Sequence, residues 1–393
     1  MLKDKNILYI VHKYNSFQKD PIEEAAKYFK KVYVLVRYKP ISKIVKYLPF
    51  KRLKVFDESV VIDLKSVPEN VEVIKTPVWY LPFGIFNRWL GRLHFRAVDK
   101  AIKKYNIRFD IVHAHFLWSS GYVGMKLMER YNVPFVVTGH GYDVYQLPFK
   151  NDWWKELIKK ILLSANHIVT VSEFNKTFLP KINIPDSNIK IINNGFSPKD
   201  FYMMDKVTAR KELNIDTKKQ VLIAVGNLEK IKGYDILIES MEKLVSEDKN
   251  ILCYIVGEGS QHSNLESLIK QRKLEKNVFL IGAKPHDTIM NWMNAADVFV
   301  IPSRMESASV VLLEALACGR PVVSSKVGIV PSVINSDQYG YVLEGNTSDY
   351  LYGGIKKALN REWSYKEISE YAQSFSWESS VKELVNIYSN IID

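Results

Sequence analysis

Short apolar runs alternate with amphipathic stretches along most of the chain. Apolar runs of this length are typical of buried parallel strands, and they lie at 6–11, 32–36, 109–115, 134–138, 166–172, 221–228, 251–256, 278–282, 297–301 and 322–323. Several of the intervening stretches, including 21–30, 121–131 and 307–317, have the spacing of helices. Repeated alternation of strand and helix predicts an α/β protein with parallel sheets. Residues 38–98 read as irregular, with an amphipathic helix predicted over 86–104.

The stretch from 297 to 323 contains the most informative strand–loop–helix unit. The buried run 297–301 is followed by a polar loop and then by a predicted helix over 307–317, which Gly319 and Pro321 end. Ser307, Ala308 and Ser309 are small, so a ligand can approach the backbone N–H groups at the helix start. In parallel sheets ligands bind outside the carboxyl ends of the strands, and helix N-termini favour phosphate.

Two carboxylates, Glu306 and Glu314, stand eight residues apart around this helix. Because phosphate would repel Glu306, we expect Glu306 to contact a neutral, hydroxyl-rich group beside it, while Glu314 can accept hydrogen bonds from a ribose. This arrangement predicts a nucleotide-sugar site. The alternative is that Glu306 is an N-terminal helix charge and Glu314 a solvated one. The apolar surroundings of Glu314 weigh against the second part, since burying a lone charge is costly.

This segment resembles the E-x7-E signature of retaining glycosyltransferases of family 4, which have the GT-B fold. The family form begins E-G-F-G, whereas this chain has Glu306 followed by three small residues, and the match continues through ALACGRPVV to Gly328. Ile329 stands where the family has a second glycine. The resemblance implies two Rossmann-like parallel-sheet domains facing across a cleft, with the acceptor bound mainly on the first and the donor on the second.

The resemblance also implies the domain boundaries. Residues 1–200 would form the N-terminal acceptor-binding domain, completed by a closing helix over 376–393 that crosses back to it. Residues 201–375 would form the C-terminal nucleotide-sugar-binding domain, with the linker near 196–206.

A histidine lies at the end of the predicted strand 134–138. Gly139 and Gly141 flank His140, which leaves its ring exposed at a strand end, and the segment resembles the family form T-x-H-G-x-D. The resemblance implies that His140 hydrogen-bonds the sugar or phosphate of the donor. The preceding strand resembles D-V-V-H-A-H, and for His113 and His115 a structural role is the alternative.

The first strand of the second half leads into a loop that resembles V-G-R-L-x-x-x-K-G, in which Arg and Lys clamp the donor diphosphate. Lys232 is kept, but Asn227 replaces the arginine. Asn227 can still donate a hydrogen bond, and Arg304 is a candidate to replace the missing cation. The loop after the first strand, 12–18, lacks the glycines of the family, so no site residue is assigned there.

Taken together, the residues and the resemblance predict a metal-independent retaining glycosyltransferase (EC 2.4) without a cofactor, using a UDP- or GDP-sugar as donor substrate. The catalytic assignments are Glu306, His140 and Lys232. The donor-binding assignments are Asn227, Lys232, Ser307, Ala308, Ser309 and Glu314. No metal site is predicted, since no Asp-x-Asp signature is evident. The departures from the family keep open a non-catalytic GT-B subunit, and an epimerase on a similar fold would need no acceptor.

The charge of the chain suggests its surroundings. Of the net charge of +12, the window 39–104 contributes fourteen Lys and Arg against six Asp and Glu, mixed with six Phe, Trp and Tyr residues between 79 and 95. Such a mixture suits an anionic membrane surface, with a solvated basic face as the alternative. No recognition motif accompanies the charge, so nucleic acid is not an expected partner. A lipid-linked or glycan acceptor in cell-surface glycan synthesis is therefore favoured.

The cysteine content and the hydropathy of the chain indicate the cellular compartment. Two cysteines in 393 residues argue for a reducing environment, and neither a signal peptide nor a membrane-spanning apolar run is evident. We therefore expect a cytoplasmic protein, with peripheral attachment to the inner face of the membrane as an option.

Overall fold

The chain divides into two compact units. The structure, a computed structural model, describes residues 2–40, 61–79 and 86–392. One unit comprises Met1–Asn193 with Trp377–Asp393, and the other comprises Asn194–Ser376. Each is built around a parallel β-sheet, as the alternation of apolar runs and helices predicts.

The N-terminal unit contains, in the described part of the chain, a seven-stranded parallel sheet with the order β3-β2-β1-β4-β5-β6-β7. Its strands are β1 (Asn6–Val11), β2 (Lys31–Tyr38), β3 (Val71–Pro77), β4 (Ile111–His115), β5 (Phe135–Gly139), β6 (His167–Thr170) and β7 (Ile189–Ile191). Its helices are α1 (Ser16–Ala26), α2 (Phe86–Lys104), α3 (Tyr122–Tyr131), α4 (Tyr142–Tyr145), α5 (Asp152–Ser164) and α6 (Glu173–Lys176), followed at the end of the chain by Trp377–Ile392.

Strand β3 corrects the prediction that residues 38–98 are irregular. It pairs with β2 at the edge of the sheet, where Glu72 and Lys75 alternate with Val71 and Ile74. An edge strand of this kind is buried on only part of its surface, so it lacks the continuous apolar run that marks the central strands. The predicted amphipathic helix is confirmed with the bounds Phe86–Lys104. Tyr80, Phe83 and the other residues of 41–60 and 80–85 lie outside the described part.

The side chains of β1 show how the sheet separates two helix layers. Leu8 and Ile10 pack into one core with α2, α3 and α5, whereas Ile7, Tyr9 and Val11 pack into a second core with α1 and the C-terminal helix. Successive side chains of a strand point to opposite faces, so one apolar strand serves both layers.

The C-terminal unit contains a six-stranded parallel sheet with the order β10-β9-β8-β11-β12-β13. Its strands are β8 (Gln220–Val225), β9 (Ile251–Val256), β10 (Val278–Gly282), β11 (Val298–Ile301), β12 (Val322–Ser325) and β13 (Gly340–Leu343). Its helices are α7 (Lys206–Glu212), α8 (Tyr234–Glu247), α9 (His262–Gln271), α10 (His286–Ala295), α11 (Val310–Ala317), α12 (Val330–Val333), α13 (Ser348–Leu359) and α14 (Tyr365–Ala372).

The last helix, α15 (Trp377–Ile392), belongs to the N-terminal unit, as the predicted closing helix requires. Its apolar face packs against α1. The Tyr388 hydroxyl lies 2.6 Å from Nδ1 of His113 and 3.1 Å from the hydroxyl of Tyr9, and all three side chains are buried. On the other side of that ring, Nε2 of His113 lies 2.7 Å from Oγ1 of Thr138. The C-terminal helix is thus joined to three strands by a buried polar network.

We expect the substitution Tyr388→Phe to destabilise the N-terminal unit by about 1–3 kcal/mol, because it leaves a buried imidazole nitrogen without its partner. Chemical denaturation of the purified chain measures this. Tyr105 is half exposed and supplies the control, since Tyr105→Phe is expected to change the free energy of unfolding by less than about 0.5 kcal/mol. Equal effects of the two substitutions would contradict the structural role of this network.

Candidate donor-binding site

The loop between β11 and α11 carries the central motif. The helix begins at Val310, three residues later than predicted, with Ser309 as its N-cap in an extended conformation. The backbone of Glu306 and Ser307 instead lies against Gly328, which has a φ of +51°, and a Cβ added to Gly328 would be 2.5 Å from the carbonyl oxygen of Ser307. The prediction of helix from 307 was wrong because the loop is held by this backbone contact.

The N-terminus of α11 has no side-chain cap. Ser309 is buried, but its side chain accepts no capping hydrogen bond, and its Oγ has no partner within the described residues. Ser307 and Ala308 are partly exposed just before it. The first N–H groups of a helix have no partner within the helix, so an anion is a suitable ligand for this end.

Lys232 and Glu306 are brought together beside this helix end. Lys232 closes a 3-10 turn after β8, and its Nζ lies 2.5 Å from Oε1 of Glu306. The same carboxylate oxygen accepts a hydrogen bond of 2.9 Å from Oγ of Ser303, which sequence reasoning did not assign. An ammonium group has three donors, so Lys232 can hold Glu306 and still donate to a phosphate oxygen.

Glycine at position 233 makes this approach feasible. Gly233 has a φ of +68°, and a Cβ there would lie 2.0 Å from the carbonyl oxygen of Pro302. Any side chain would therefore separate the Lys232 turn from the loop that carries Glu306. The close packing of these two loops explains why a glycine follows the lysine in this motif.

The missing arginine of the motif is not replaced by Arg304. The guanidinium of Arg304 makes two hydrogen bonds, of 2.7 and 2.8 Å, to the carboxylate of Asp235, and it also donates to the carbonyl of Lys230. Asn227 is exposed at the end of β8, and its side chain makes no hydrogen bond within the described residues. Lys232 is therefore the cation next to Glu306.

Glu314 is buried, so the alternative that it is a solvated charge on the helix surface was wrong. It is 4% exposed, and its Oε1 lies 3.2 Å from Nε2 of His286. His286 is the first residue of α10 and contacts the ring of Phe201 edge-on at 5.1 Å. His286 is not among the site residues predicted from the sequence, although the loop 283–286 resembles the base-binding loop of the family and follows β10 at the same edge of the sheet as the other site residues.

His140 lies in the N-terminal unit, after β5. Its Nε2 is 3.1 Å from Nδ1 of His115, and the rings of Phe17 and Phe116 contact it at 5.1 and 4.6 Å. The N–H groups of His140 and Gly141 donate to Asp143, whose carboxylate is buried. The Asp of the T-x-H-G-x-D form therefore fixes the loop that presents the histidine.

The protonation state of these histidines follows from their burial. Burial, with the nearby His115 second, holds the pKa of His140 well below its ordinary value, and burial lowers the pKa of His115 to about 4. Both rings are therefore neutral at pH 7. A neutral His140 can exchange hydrogen bonds with a sugar hydroxyl but does not act as a counter-ion for phosphate.

Among the residues that the structure describes, no group of three or more His, Cys, Asp or Glu side chains is arranged to hold a metal ion. Over the same residues, no helix combines the length and apolar character needed to cross a bilayer.

Comparison with known proteins identifies the family. Residues 57–200 match the family model described as Glycosyltransferase Family 4, and residues 205–375 match the one described as Glycosyl transferases group 1. The chain belongs to glycosyltransferase family 4. The resemblance carried by the E-x7-E motif is thereby confirmed, and so is the GT-B fold with its two Rossmann-like domains.

One sequence relative and two solved structures illustrate what this chain is similar to. An uncharacterized glycosyltransferase of Methanocaldococcus jannaschii is 29% identical over 72% of this chain and 75% of its own length. The sucrose-phosphate synthase of Thermosynechococcus elongatus superimposes with a TM-score of 0.77 over 98% of this chain and 99% of its own, at 20% identity. Anabaena HepE in complex with UDP superimposes with a TM-score of 0.74 over 98% of this chain and 100% of its own, at 18% identity. At these identities the two solved structures show a shared fold.

We expect acid to destabilise the N-terminal unit of this glycosyltransferase as the pH falls below about 6.5. The unfolded chain protonates its histidines below about pH 6.5, whereas the folded unit keeps His115 and His140 neutral. Stability is therefore fully present above pH 6.5 and falls as the pH drops towards 4, by about 1.4 kcal/mol per pH unit for each histidine.

Thermal melts between pH 7.5 and 5 measure this slope, and the variant His115→Gln should reduce it. A melting temperature that stays constant over this range in the unmodified chain would show that the histidines are accessible to protons in the folded state.

Proposed function

We propose that this family 4 enzyme is a retaining glycosyltransferase that moves a sugar from a nucleotide-diphospho-sugar to a lipid-linked or glycan acceptor. The observation that carries the proposal is the ammonium group of Lys232, held by Glu306 beside the uncapped N-terminus of α11. A cation and a free helix end next to each other form a site for a diphosphate.

The nature of the donor is supported by a structural neighbour. Anabaena HepE, whose fold this chain shares, has been solved in complex with UDP and with UDP-glucose. We propose a UDP- or GDP-sugar for the present enzyme, with Glu314 accepting hydrogen bonds from the ribose. The burial of Glu314 supports this role, because a buried carboxylate with spare acceptor capacity favours hydroxyl groups.

Breaking the anomeric C–O bond leaves negative charge on the diphosphate. In the proposed mechanism Lys232, Asn227 and the N–H groups of residues 307–309 stabilise that charge, which is electrostatic preorganisation. Glu306 orients the sugar, and neutral His140 donates to or accepts from one of its hydroxyls. The leaving phosphate deprotonates the acceptor hydroxyl on the same face, so the configuration is retained. The scheme uses no metal ion.

The proposed acceptor and location follow from the charge of the chain. A lipid-linked or polymeric glycan used in cell-surface glycan synthesis would be met at the inner face of the membrane, where a basic protein is attracted to anionic lipid. We therefore propose a cytoplasmic enzyme that attaches peripherally to that surface.

Replacing Glu306 by Gln separates binding from catalysis. The substitution removes a negative charge beside the proposed diphosphate, so UDP or GDP affinity should stay the same or rise. Sugar transfer should fall by about 100-fold or more, because the group that orients the sugar is lost. Titration calorimetry and a transfer assay with a matching donor measure the two quantities. Undiminished transfer would remove Glu306 from the mechanism.

The cation is tested by Lys232→Gln, with Lys230→Gln as a matched control in the same turn. Lys230 is exposed, and no ion pair of its side chain is seen in the described ranges. Loss of a charged hydrogen bond worth about 1.5–3 kcal/mol should weaken nucleotide diphosphate binding about ten- to hundredfold for Lys232→Gln alone. The rise in melting temperature caused by the nucleotide reports this, and equal effects of both variants would contradict the assignment.

The replacement of arginine by Asn227 keeps one competing function in view, a non-catalytic GT-B subunit. Such a subunit would bind a nucleotide-sugar, but it would neither transfer the sugar nor hydrolyse the donor, even slowly. Donor binding together with a complete lack of both reactions, across a panel of donors and acceptors, would favour that function over the enzyme.

A further inference from the structure

A basic groove lies on the outer surface of the N-terminal unit, between α2 and α3. Its volume is about 600 Å³, and the rings of Phe95 and Tyr122 contribute to its walls. The cations that line it are Arg92, Arg96, Lys100, Lys103, Lys126 and Arg130. The residues of α2 among them recur every three or four positions, so they follow one face of that helix.

Most of this charge is not neutralised. Asp99 is the acidic residue of the groove, and it is already bound by Lys103 at 3.0 Å, Arg130 at 3.2 Å and the hydroxyl of Tyr131 at 2.9 Å. Arg96 and Lys100 are exposed, and neither forms an ion pair anywhere in residues 2–40, 61–79 and 86–392. These two cations are therefore available to an external anion.

The helices on the two sides of the sheet also differ in charge. The helices of the α2, α3 and α5 layer contain eleven Lys and Arg against four Asp and Glu. The helices of the opposite layer, α1 and α15, contain two Lys against five Asp and Glu. Among these five helices the layer that carries the groove is thus basic and the opposite layer is acidic, and an asymmetry of this kind helps to orient a protein at a charged plane.

An exposed tryptophan accompanies the cations. Trp89 is 54% exposed one turn before Arg92, and the guanidinium of Arg92 lies over its ring at 5.3 Å. Trp79, just after β3, is 72% exposed. Tryptophan rings flanked by Lys and Arg favour the headgroup region of a bilayer, where the ring and the cations find different partners.

We infer that the α2–α3 face is the surface by which the enzyme docks on an anionic bilayer, with lipid phosphates in the groove and Trp89 at the headgroup level. From Trp89 to Lys103 the row of residues is about 21 Å long, which exceeds a single phosphate cluster and suits several lipid headgroups. The inference specifies the membrane contact of the proposed function and rests on it only for the location of the acceptor.

Vesicle co-sedimentation of the full chain tests the inference. The chain should bind vesicles that contain 30% phosphatidylglycerol, should not bind pure phosphatidylcholine, and should be released by added salt. The double variant Arg96→Gln/Lys100→Gln should weaken binding about 10- to 30-fold, since each cation near an anionic surface contributes about fivefold. Trp89→Ala should weaken it as well.

The control is Lys30→Gln/Lys218→Gln, which removes the same charge from two exposed lysines outside the groove and should leave vesicle binding within about twofold of the unmodified chain. Equal losses in both double variants, or no binding of the unmodified chain to anionic vesicles, would overturn the inference. So would tight binding of soluble tripolyphosphate without vesicle binding, which would assign the groove to a free polyanion.

The same variants keep this inference distinguishable from the donor chemistry. Arg96 and Lys100 are not among the donor-site residues, so the melting shift caused by UDP or GDP and transfer to a water-soluble acceptor should persist in Arg96→Gln/Lys100→Gln. Lost vesicle binding with retained donor binding supports the docking surface by itself. Retained vesicle binding with absent transfer would instead count against the proposed function.

Discussion

The ion pair between Lys232 and Glu306 depends on the neighbouring positions of β8 and β11 in the C-terminal sheet. Lys232 and Glu306 are 74 positions apart in the chain, yet the loops that follow the two parallel strands meet at the same edge of the sheet. The close contact of Gly233 with the carbonyl of Pro302 sets the distance between the loops. A backbone hydrogen bond of 2.8 Å from the Arg304 N–H to the carbonyl of Ile231 joins the same two loops, so the ammonium group and the carboxylate are held close together.

The helix that follows Glu306 combines two environments. Its body is apolar and buried, which anchors the helix in the core of the C-terminal unit, whereas its first turn is left without a side-chain cap. Glu314 is the exception within the buried part, and His286 partly offsets the cost of burying it. A rigid helix with an unsatisfied end and one buried acceptor is well suited to hold a ligand in a fixed orientation.

In the N-terminal unit, burial has a different consequence. The strand ends gather histidines that remain neutral because they are desolvated, and the Tyr388 hydroxyl connects one of them to the C-terminal helix. The helices on the two sides of the sheet carry opposite net charges, which no requirement of core packing imposes. The strand ends of this unit therefore present neutral polar groups, whereas the exposed surface of its α2, α3 and α5 helices presents positive charge.

The sequence by itself determined the alternation of strands and helices, the bounds of α2, the closing helix and the two motifs that contain Lys232 and Glu306. The alternation and the bounds of α2 follow from local periodicity, whereas the closing helix and the two motifs follow from the resemblance to the family. Only the tertiary structure decided the edge strand β3, the start of α11 at Val310, the pairing of Glu314 with His286 and the engagement of Arg304 by Asp235. Each of these depends on contacts between segments far apart in the chain, and no local pattern records which distant side chain a folded sheet will place opposite another.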